Sequence, residues 1–240
     1  MLEGIQTSAA GMLPRMTEQE VIANNLANVN TTGYKRDRVV FRKTLESELG
    51  VAASEGSEVF GEEVLVDFSP GPLEKTDRPL DVAIEGSGFF TVETPNGVRY
   101  TRAGNFRLDS EGYLVTVDGY RVLGESGPIL LTNDKVNINE DGEIWQGGFL
   151  VDRLRVTDFS DPRALVKEGH SLFKTADPRV TGQPAAEATI KQGYLEGSNV
   201  NPLEEMVEMM VVLRNFEAEQ KAIQVQDQTL GTAVNELPRF

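Results

Sequence analysis

Apolar residues recur at alternating steps of three and four positions along the first ~30 residues, the spacing of one apolar helix seam. Only Gln19 interrupts the row. Pro14 lies inside it and predicts a kink or two helical pieces, because proline removes a backbone donor. Asn28, Asn30 and Gly33 predict the end of the helix, since Asn and Gly tolerate left-handed backbone. The seam residues are Leu2, Ile5, Ala9, Met12, Met16, Ala23 and Leu26.

A second helix with the same spacing is predicted near the carboxyl end. Asn201 can cap its first turn, and Pro202 suits the first helical position. Glu204 and Glu205 lie at the positive end of its dipole. The seam predicts a helix of about 36 residues. Its residues are Met206, Met209, Leu213, Phe216, Gln220, Ile223, Asp227, Leu230, Val234 and Leu237.

Both rows have the spacing of a coiled coil, in which such seams are buried between helices. We therefore expect the two terminal helices to form a discontinuous coiled-coil domain from residues 1–33 and 198–240. Each seam is longer than a single β domain requires, so we also expect the seams to be buried against neighbouring chains. Polar seam residues such as Gln19 and Asp227 are expected to fix the register between helices.

Between the helices, the sequence changes to short β-prone runs separated by turn signals. Pro95-Asn96-Gly97 and Asp118-Gly119 each lie between two such runs and predict hairpins. We expect a compact all-β domain over residues 75–193 and an extended connector over residues 34–74. The connector is acidic and rich in Gly, Ala and Ser from about residue 44. The predicted fold class is α+β, with a coiled-coil domain of N- and C-terminal helices joined by this connector to the β domain.

Composition and charge remove several functional classes. The 38 acidic residues outnumber the 23 basic ones, and the formal net charge of −15 disfavours nucleic acid and anionic membrane surfaces. The absence of Cys excludes disulfides, thiol nucleophiles and Cys-ligated metals. His170 is the only histidine, and no apolar run has the length of a membrane helix. No basic residue precedes Arg15, so we expect no cleaved signal peptide.

Candidate catalytic and metal-binding patterns are weak. The loop that begins at Asn137 resembles the start of an EF-hand, but Gly148 occupies the position of the required bidentate Glu, which favours a tight turn. Asp81 and Glu143 stand in apolar surroundings and leave open the carboxylate pair of a glycoside hydrolase. Turn caps and strand edges are the more common places for such residues. We expect no catalytic, cofactor-binding or metal-binding residues, no cofactor and no enzymatic activity.

Four stretches of the chain resemble one protein family. Residues Ile22–Lys35, IANNLANVNTTGYK, closely resemble the amino-terminal signature of bacterial flagellar rod and hook proteins. Residues Gly193–Asn201, GYLEGSNVN, are similar to the carboxy-terminal signature of that family. Residues Pro79–Phe90 and Tyr100–Phe106 resemble its central domain. The resemblance extends over nearly the whole chain.

Within the family, residues Arg121–Glu125, Leu195–Val200 and Arg214–Glu217 look most like the proximal rod protein of the F type. The distal rod protein is the alternative within the family, and an exported cell-wall glycoside hydrolase is the alternative from a different class. The resemblance implies export without a cleaved signal peptide through the flagellar type III apparatus. It also implies helical assembly in the periplasm, with copies of this chain and other axial proteins as partners.

We expect the seams and the family signature to form the assembly interface, with no small-molecule substrate. The predicted interface residues are Leu2, Ile5, Met12, Met16, Ala23, Asn25, Leu26, Asn28, Met206, Met209, Leu213, Phe216, Ile223, Leu230, Val234 and Leu237.

Overall fold

The structure is a computed structural model that describes residues 2–44, 59–177, 179–185 and 188–236. The chain divides into two compact units, each assembled from segments that are distant in the sequence. The first unit comprises Met1–Ala27, Asp37–Leu65 and Asn201–Phe240. The second comprises Asn28–Arg36 and Val66–Val200.

The first unit contains two helices and a two-stranded sheet. Its elements are α1 (Leu2–Ala27), β1 (Asp37–Thr44), β2 (Val59–Val66) and α2 (Pro202–Glu236), and β1 pairs with β2. The helix α1 is continuous through Pro14, so the alternative of two helical pieces is wrong. It ends at Ala27, before Asn28, as the sequence predicts. At the start of α2, the side-chain oxygen of Asn201 accepts a hydrogen bond from the Leu203 backbone N–H at 3.1 Å. The predicted cap of this helix is confirmed.

The predicted fold class, an α+β chain whose terminal helices form a coiled-coil domain, is wrong. The described part of the chain has two α-helices and a mostly β central region, and it shows no coiled coil of the terminal helices. A coiled coil requires its apolar seam to face the partner helix. Here Met206 and Leu213 of the predicted seam are exposed, whereas the polar Asn25 and Glu205 are buried.

The second unit is mostly β. Its strands are β3 (Leu73–Lys75), β4 (Val82–Glu85), β5 (Phe89–Thr94), β6 (Gly97–Thr101), β7 (Arg107–Leu108), β8 (Leu114–Val115), β9 (Arg121–Val122), β10 (Asn137–Ile138), β11 (Glu143–Gln146), β12 (Phe149–Arg153), β13 (Val156–Asp158), β14 (Leu165–Gly169), β15 (Leu172–Thr175), β16 (Gln183–Pro184), β17 (Thr189–Gln192) and β18 (Tyr194–Glu196). A short 3₁₀ turn, Pro162–Ala164, precedes β14.

The largest sheet has the strand order β14-β15-β6-β5-β9-β8-β7, and β13 pairs with both β5 and β16. The strands β10, β11 and β12 form a separate three-stranded sheet. Both predicted hairpins are confirmed: the turn before Gly97 joins β5 to β6, and Asp118-Gly119 joins β8 to β9. Gly97 and Gly119 both adopt positive φ angles, which explains the need for glycine in these turns.

Two apolar clusters form the core of this unit. The larger cluster includes Val82, Phe90, Phe106 and Ile144, and the Phe90 and Phe106 rings meet edge to face at 5.2 Å between centroids. The smaller cluster consists of Phe89, Phe159, Leu165 and Phe173. Short antiparallel pairs of β4 with β17 and of β3 with β18 bring the end of the central region back beside its beginning.

The predicted connector, residues 34–74, contains regular structure where it is described. The strands β1 and β2 and the start of β3 fall within it. The predicted acidic stretch over residues 45–58 lies outside the described residues.

Candidate functional site

The exposed face of α2 carries a continuous apolar stripe. Leu203, Met206, Val207, Met210 and Leu213 follow one another at helical spacing, and Met206 and Met210 are 50% and 53% exposed. Val211 beside them is exposed as well. We call Leu203, Met206, Val207, Met210, Val211 and Leu213 the α2 stripe. A contiguous exposed apolar surface of this kind is typical of a contact with another protein chain.

The opposite side of α2 carries the buried positions. Glu205 and Val212 are buried, and Met209, Phe216 and Ile223 of the predicted interface are half-buried. The positions Glu205, Val212, Glu219 and Gln226 recur every seven residues on this side. Leu230 and Val234 lie in α2 with side chains outside the description, and Leu237 lies outside the described residues.

The predicted interface residues in and just after α1 also include both exposed and buried positions. Met16 and Ala23 are exposed, Leu26 and Asn28 are half-buried, and Asn25 is buried. Leu2, Ile5 and Met12 lie in α1, and their side chains are not among those described. Ile22, which the sequence analysis left out of the seam, is the buried apolar residue of the described part of this helix.

Asn25 connects three elements of the first unit. Its amide nitrogen donates to the Asp37 carbonyl oxygen at 2.9 Å and to Glu205 Oε2 at 3.2 Å. Its amide oxygen accepts from the Asp37 backbone N–H at 2.9 Å. Two bonds to one residue fix the amide orientation, so Asn25 holds the end of α1 against the start of β1 and the first turn of α2.

A second polar centre is buried in the β unit. Glu196 Oε1 accepts from Lys35 Nζ at 2.6 Å and from the Gly71 backbone N–H at 3.0 Å, and Glu196 Oε2 accepts from Arg102 Nη1 at 3.1 Å. The side chains of Lys35 and Glu196 are 1% and 0% exposed. We call Lys35, Arg102 and Glu196 the charge cluster.

Backbone carbonyl oxygens complete the charge cluster. Lys35 Nζ donates to the Ser69 carbonyl at 2.8 Å, and Arg102 donates to the carbonyls of Ile84 and Gly86 at 3.2 and 2.7 Å. Buried charges are tolerated when they are paired and hydrogen-bonded in this way. The cluster therefore ties three remote segments of the unit together.

Burial sets the electrostatics of both cations. Desolvation lowers the pKa of Lys35, and the charge and hydrogen bond of Glu196 oppose this effect. Desolvation likewise lowers the pKa of Arg102, again against the influence of Glu196. A lysine with a lowered pKa can act as a nucleophile. Lys35 Nζ is instead inaccessible and bonded to two acceptors, which is the arrangement of a structural ion pair.

The charge cluster unites three of the stretches that carry the family resemblance. Lys35 ends the amino-terminal signature, Arg102 lies in Tyr100–Phe106, and Glu196 lies in the carboxy-terminal signature. The sequence analysis quoted these stretches but missed the pairing between them. Each of the three stretches has one charged residue among uncharged ones, and this was the signal that could have revealed the pairing.

Gly33 and Asn199 form further hydrogen bonds between segments at and beside the amino-terminal and carboxy-terminal signatures. The Gly33 N–H donates to the Glu196 carbonyl at 2.7 Å, and its φ of +67° suits glycine. A Cβ atom at Gly33 would lie 2.3 Å from the Ala103 nitrogen, so the close approach of the two backbones requires glycine. Asn199 accepts from the Arg36 N–H at 2.7 Å and donates to the Asp67 carbonyl at 2.9 Å.

The residues considered for metal and carboxylate chemistry occupy structural positions. Glycine at 142 follows the tight turn at Asn139, whose side chain accepts from the Glu143 N–H at 2.8 Å. Asp81 is fully buried, neither of its carboxylate oxygens has a hydrogen-bond partner among the described residues, and Arg78 Nη1 lies 3.9 Å from Oδ1. Glu143 is paired with Arg153 at 3.3 Å. The described residues hold no group of three His, Asp or Glu side chains that could bind a metal ion.

None of the helices, over the residues that the structure describes, is both long and apolar enough to span a membrane.

The chain has helices from both of its ends and a central β region, and one face of α2 is apolar and exposed. These features are typical of a subunit that packs against other protein chains. Sequence models of three families match successive parts of the chain. Residues 5–35 match the flagella basal body rod protein family, and residues 83–146 match the D1 domain of the flagellar hook proteins FlgE/F/G. Residues 191–236 match the C-terminal part of the flagellar basal body rod proteins FlgEFG.

Several curated relatives align with nearly the whole length of the chain. The flagellar basal-body rod protein FlgG of Bacillus subtilis is 33% identical and aligns with 98% of this chain and 99% of its own length. FlgG of Borreliella burgdorferi is 34% identical over 98% of both chains. FlgF of Caulobacter vibrioides is 33% identical over 96% of this chain and 97% of its own. The chain belongs to the flagellar basal-body rod protein family.

Proposed function

We propose that this chain is a structural subunit of the bacterial flagellar basal-body rod, where it assembles helically with copies of itself and with other rod and hook proteins. The observation that carries the proposal is the α2 stripe. Six apolar side chains at helical spacing stay exposed while Glu205 of the same helix is buried. A surface of this composition is suited to burial against a neighbouring chain.

Burial of the α2 stripe would contribute favourable free energy to a subunit contact. Burying one Leu, Met or Val side chain contributes about 1.5–3 kcal/mol relative to leaving it exposed. Several such side chains on one helix face therefore offset a substantial part of the entropy lost on association. If the stripe meets a different surface of the next subunit, the contact is heterologous and repeats along a helical polymer.

We further propose that the rod position is proximal and lies in the periplasm, reached by type III export without a cleaved signal peptide. Residues Arg121–Glu125 and Arg214–Glu217 support the proximal position through their resemblance to the F type. The distal rod is the second candidate, which the sequence leaves open. Relatives named FlgG and FlgF are both 33% identical to this chain, so overall identity favours neither type. A cryo-electron map of basal bodies carrying a tagged chain would distinguish the two positions.

The proposed function is tested by placing a charge on the α2 stripe. We expect Met210→Asp to abolish concentration-dependent sedimentation and motility while the melting temperature changes little, because Met210 is exposed in the isolated chain. An unpaired carboxylate in a buried subunit contact costs several kcal/mol. Val117→Asp is the matched control, because Val117 is about equally exposed but belongs to the β unit and not to the α2 stripe. Normal assembly of the Met210→Asp protein would refute the assignment.

A further inference from the structure

The hairpin formed by β11 and β12 ends in a tip whose apolar side chains are exposed to solvent. Phe149 is 79% exposed, and Trp145, Leu150 and Val151 are exposed as well. The two-glycine turn before Phe149 has positive φ angles, and a Cβ atom at either glycine would meet nothing within 4 Å. We call residues Trp145–Val151 the hairpin tip. Gln146 within the tip accepts from the Thr132 backbone N–H at 3.1 Å and donates to the Asn133 carbonyl at 3.0 Å, whereas the apolar side chains of the tip are exposed.

Both faces of the hairpin tip carry apolar side chains that are exposed to solvent. Side chains alternate along a strand, so Phe149 and Val151 lie on one face of β12 and Leu150 on the other. Trp145 is directly opposite Leu150 in the antiparallel pair. A flat partner surface would cover one face only. The tip therefore fits a groove that encloses it from two sides.

The same unit contains a groove of suitable size. Its volume is about 590 Å³, within the range that accommodates small ligands. Leu154 and Ile190 are buried in its floor, and Val156 and Ala188 are half-buried beside them. Gln183 is exposed at the groove. Apolar floor residues of this kind can receive an aromatic side chain.

Arg155 adds a recognition group to the groove. It lines the groove and is exposed, and its guanidinium makes no hydrogen bond or ion pair to any residue that the structure describes. A free guanidinium is attracted to the face of an aromatic ring. The hairpin tip, Trp145–Val151, has no charged residue, so it brings no charge of its own into a groove whose lining also includes Glu125, Asp141 and Arg153.

We propose that the hairpin tip of one copy of this chain inserts into the groove of a second copy, with Phe149 as the central contact. The chain cannot fill its own groove, because β12 is held extended by β11 and Phe149 is five residues from Leu154, about 16 Å along a strand. Tip and groove are different surfaces, so the contact is heterologous and continues from copy to copy. This inference rests on the proposed function, because rod subunits must repeat along an axis.

Cysteine cross-linking tests the contact in the full-length protein, which has no native Cys to interfere. The Val151→Cys and Gln183→Cys proteins, which both keep Phe149, are mixed at a concentration at which the chain sediments as polymer and are treated with a short bifunctional maleimide. We expect a cross-linked dimer in the mixture, at least tenfold above either protein alone. Val166→Cys mixed with Gln183→Cys is the matched control, because Val166 is exposed on β14 and belongs to neither surface.

The possible outcomes separate this contact from the proposed function. Polymer without the Val151–Gln183 cross-link would overturn the contact and leave the proposed function standing. A dominant dimer of Val151→Cys with itself would also overturn it, since the tips would then pair with each other. Failure to form either polymer or cross-link would overturn both proposals. A second measurement is the Arg155→Ala protein, for which we expect weaker sedimentation at an unchanged melting temperature.

Discussion

Glu196 compensates two buried positive charges in the β unit. It is the carboxylate that pairs with both Lys35 and Arg102. Because burial lowers the pKa of Lys35, the unfolded chain binds more protons at this lysine in the pH range just below its ordinary pKa. The contribution of Lys35 to stability therefore rises with pH through that range. The charge of Glu196 and its hydrogen bond to Lys35 oppose this lowering of the pKa.

At the residue scale, we expect Glu196→Gln to lower the free energy of unfolding by about 3–5 kcal/mol, because it leaves two buried cations without their counter-charge. Urea denaturation followed by circular dichroism measures the loss. The matched control is Glu111→Gln, which removes an exposed pairing with Arg121 at 3.2 Å and should change stability by less than about 1 kcal/mol. Equal, small effects of both substitutions would contradict a structural role for the charge cluster.

At the scale of elements, α2 shows how a helix can be well specified locally and still turn an apolar face outward. Asn201 caps the first turn, and Pro202 occupies the first helical position. The inward side then places Glu205 against Asn25, and Glu219 lies 4.0 Å from Arg15. These polar pairs fix how α1 and α2 meet. The α2 stripe is left for a contact outside the unit.

We expect Asn201→Ala to destabilise the start of α2 by about 1 kcal/mol, through loss of the hydrogen bond that caps the Leu203 N–H. Far-ultraviolet circular dichroism of thermal unfolding measures the effect. Thr229→Ala, later in the same helix, serves as the control, because the Thr229 hydroxyl bonds back to the Val225 carbonyl, an interaction of little stabilising value. A larger loss from the Thr229 substitution would contradict the cap assignment.

At the scale of the whole molecule, the two units have unequal cores. Both apolar clusters lie in the β unit. Among the described side chains of the first unit, Ile22 and Val212 are the buried apolar ones. Because helix stability in water comes mostly from packing, so few buried apolar residues among the described side chains predict a low opening free energy for α1 and α2.

Amide hydrogen exchange on the dilute monomer should therefore be faster in α1 and α2 than in β5 and β9 of the β core. We expect protection of both helices to rise when the chain polymerises, since neighbouring subunits would then cover the α2 stripe. Mass spectrometry of peptic fragments provides the measurement at two protein concentrations. Protection in α2 that equals the β core in the dilute monomer would show that the first unit is stable without partners.

The sequence by itself determined the local structure and the family. Helix ends at Asn28 and Asn201 and the hairpin turns at Gly97 and Gly119 follow from the properties of single residues and their neighbours. Such signals act over a few positions, so they survive without knowledge of the rest of the chain. The signature stretches identified the family for the same reason.

Only the tertiary structure decided which helix face is buried and which charges meet. The predicted seam of α2 contains Met206 and Leu213, whereas the buried positions are Glu205 and Val212, one residue earlier. A shift of one residue turns a helix face by about 100°, and apolar residues on both faces satisfy the same spacing. Lys35 and Arg102 lie 161 and 94 residues from Glu196 in the sequence. Sequence spacing carries no information about such pairings, because they form only when distant strands close the β unit around them.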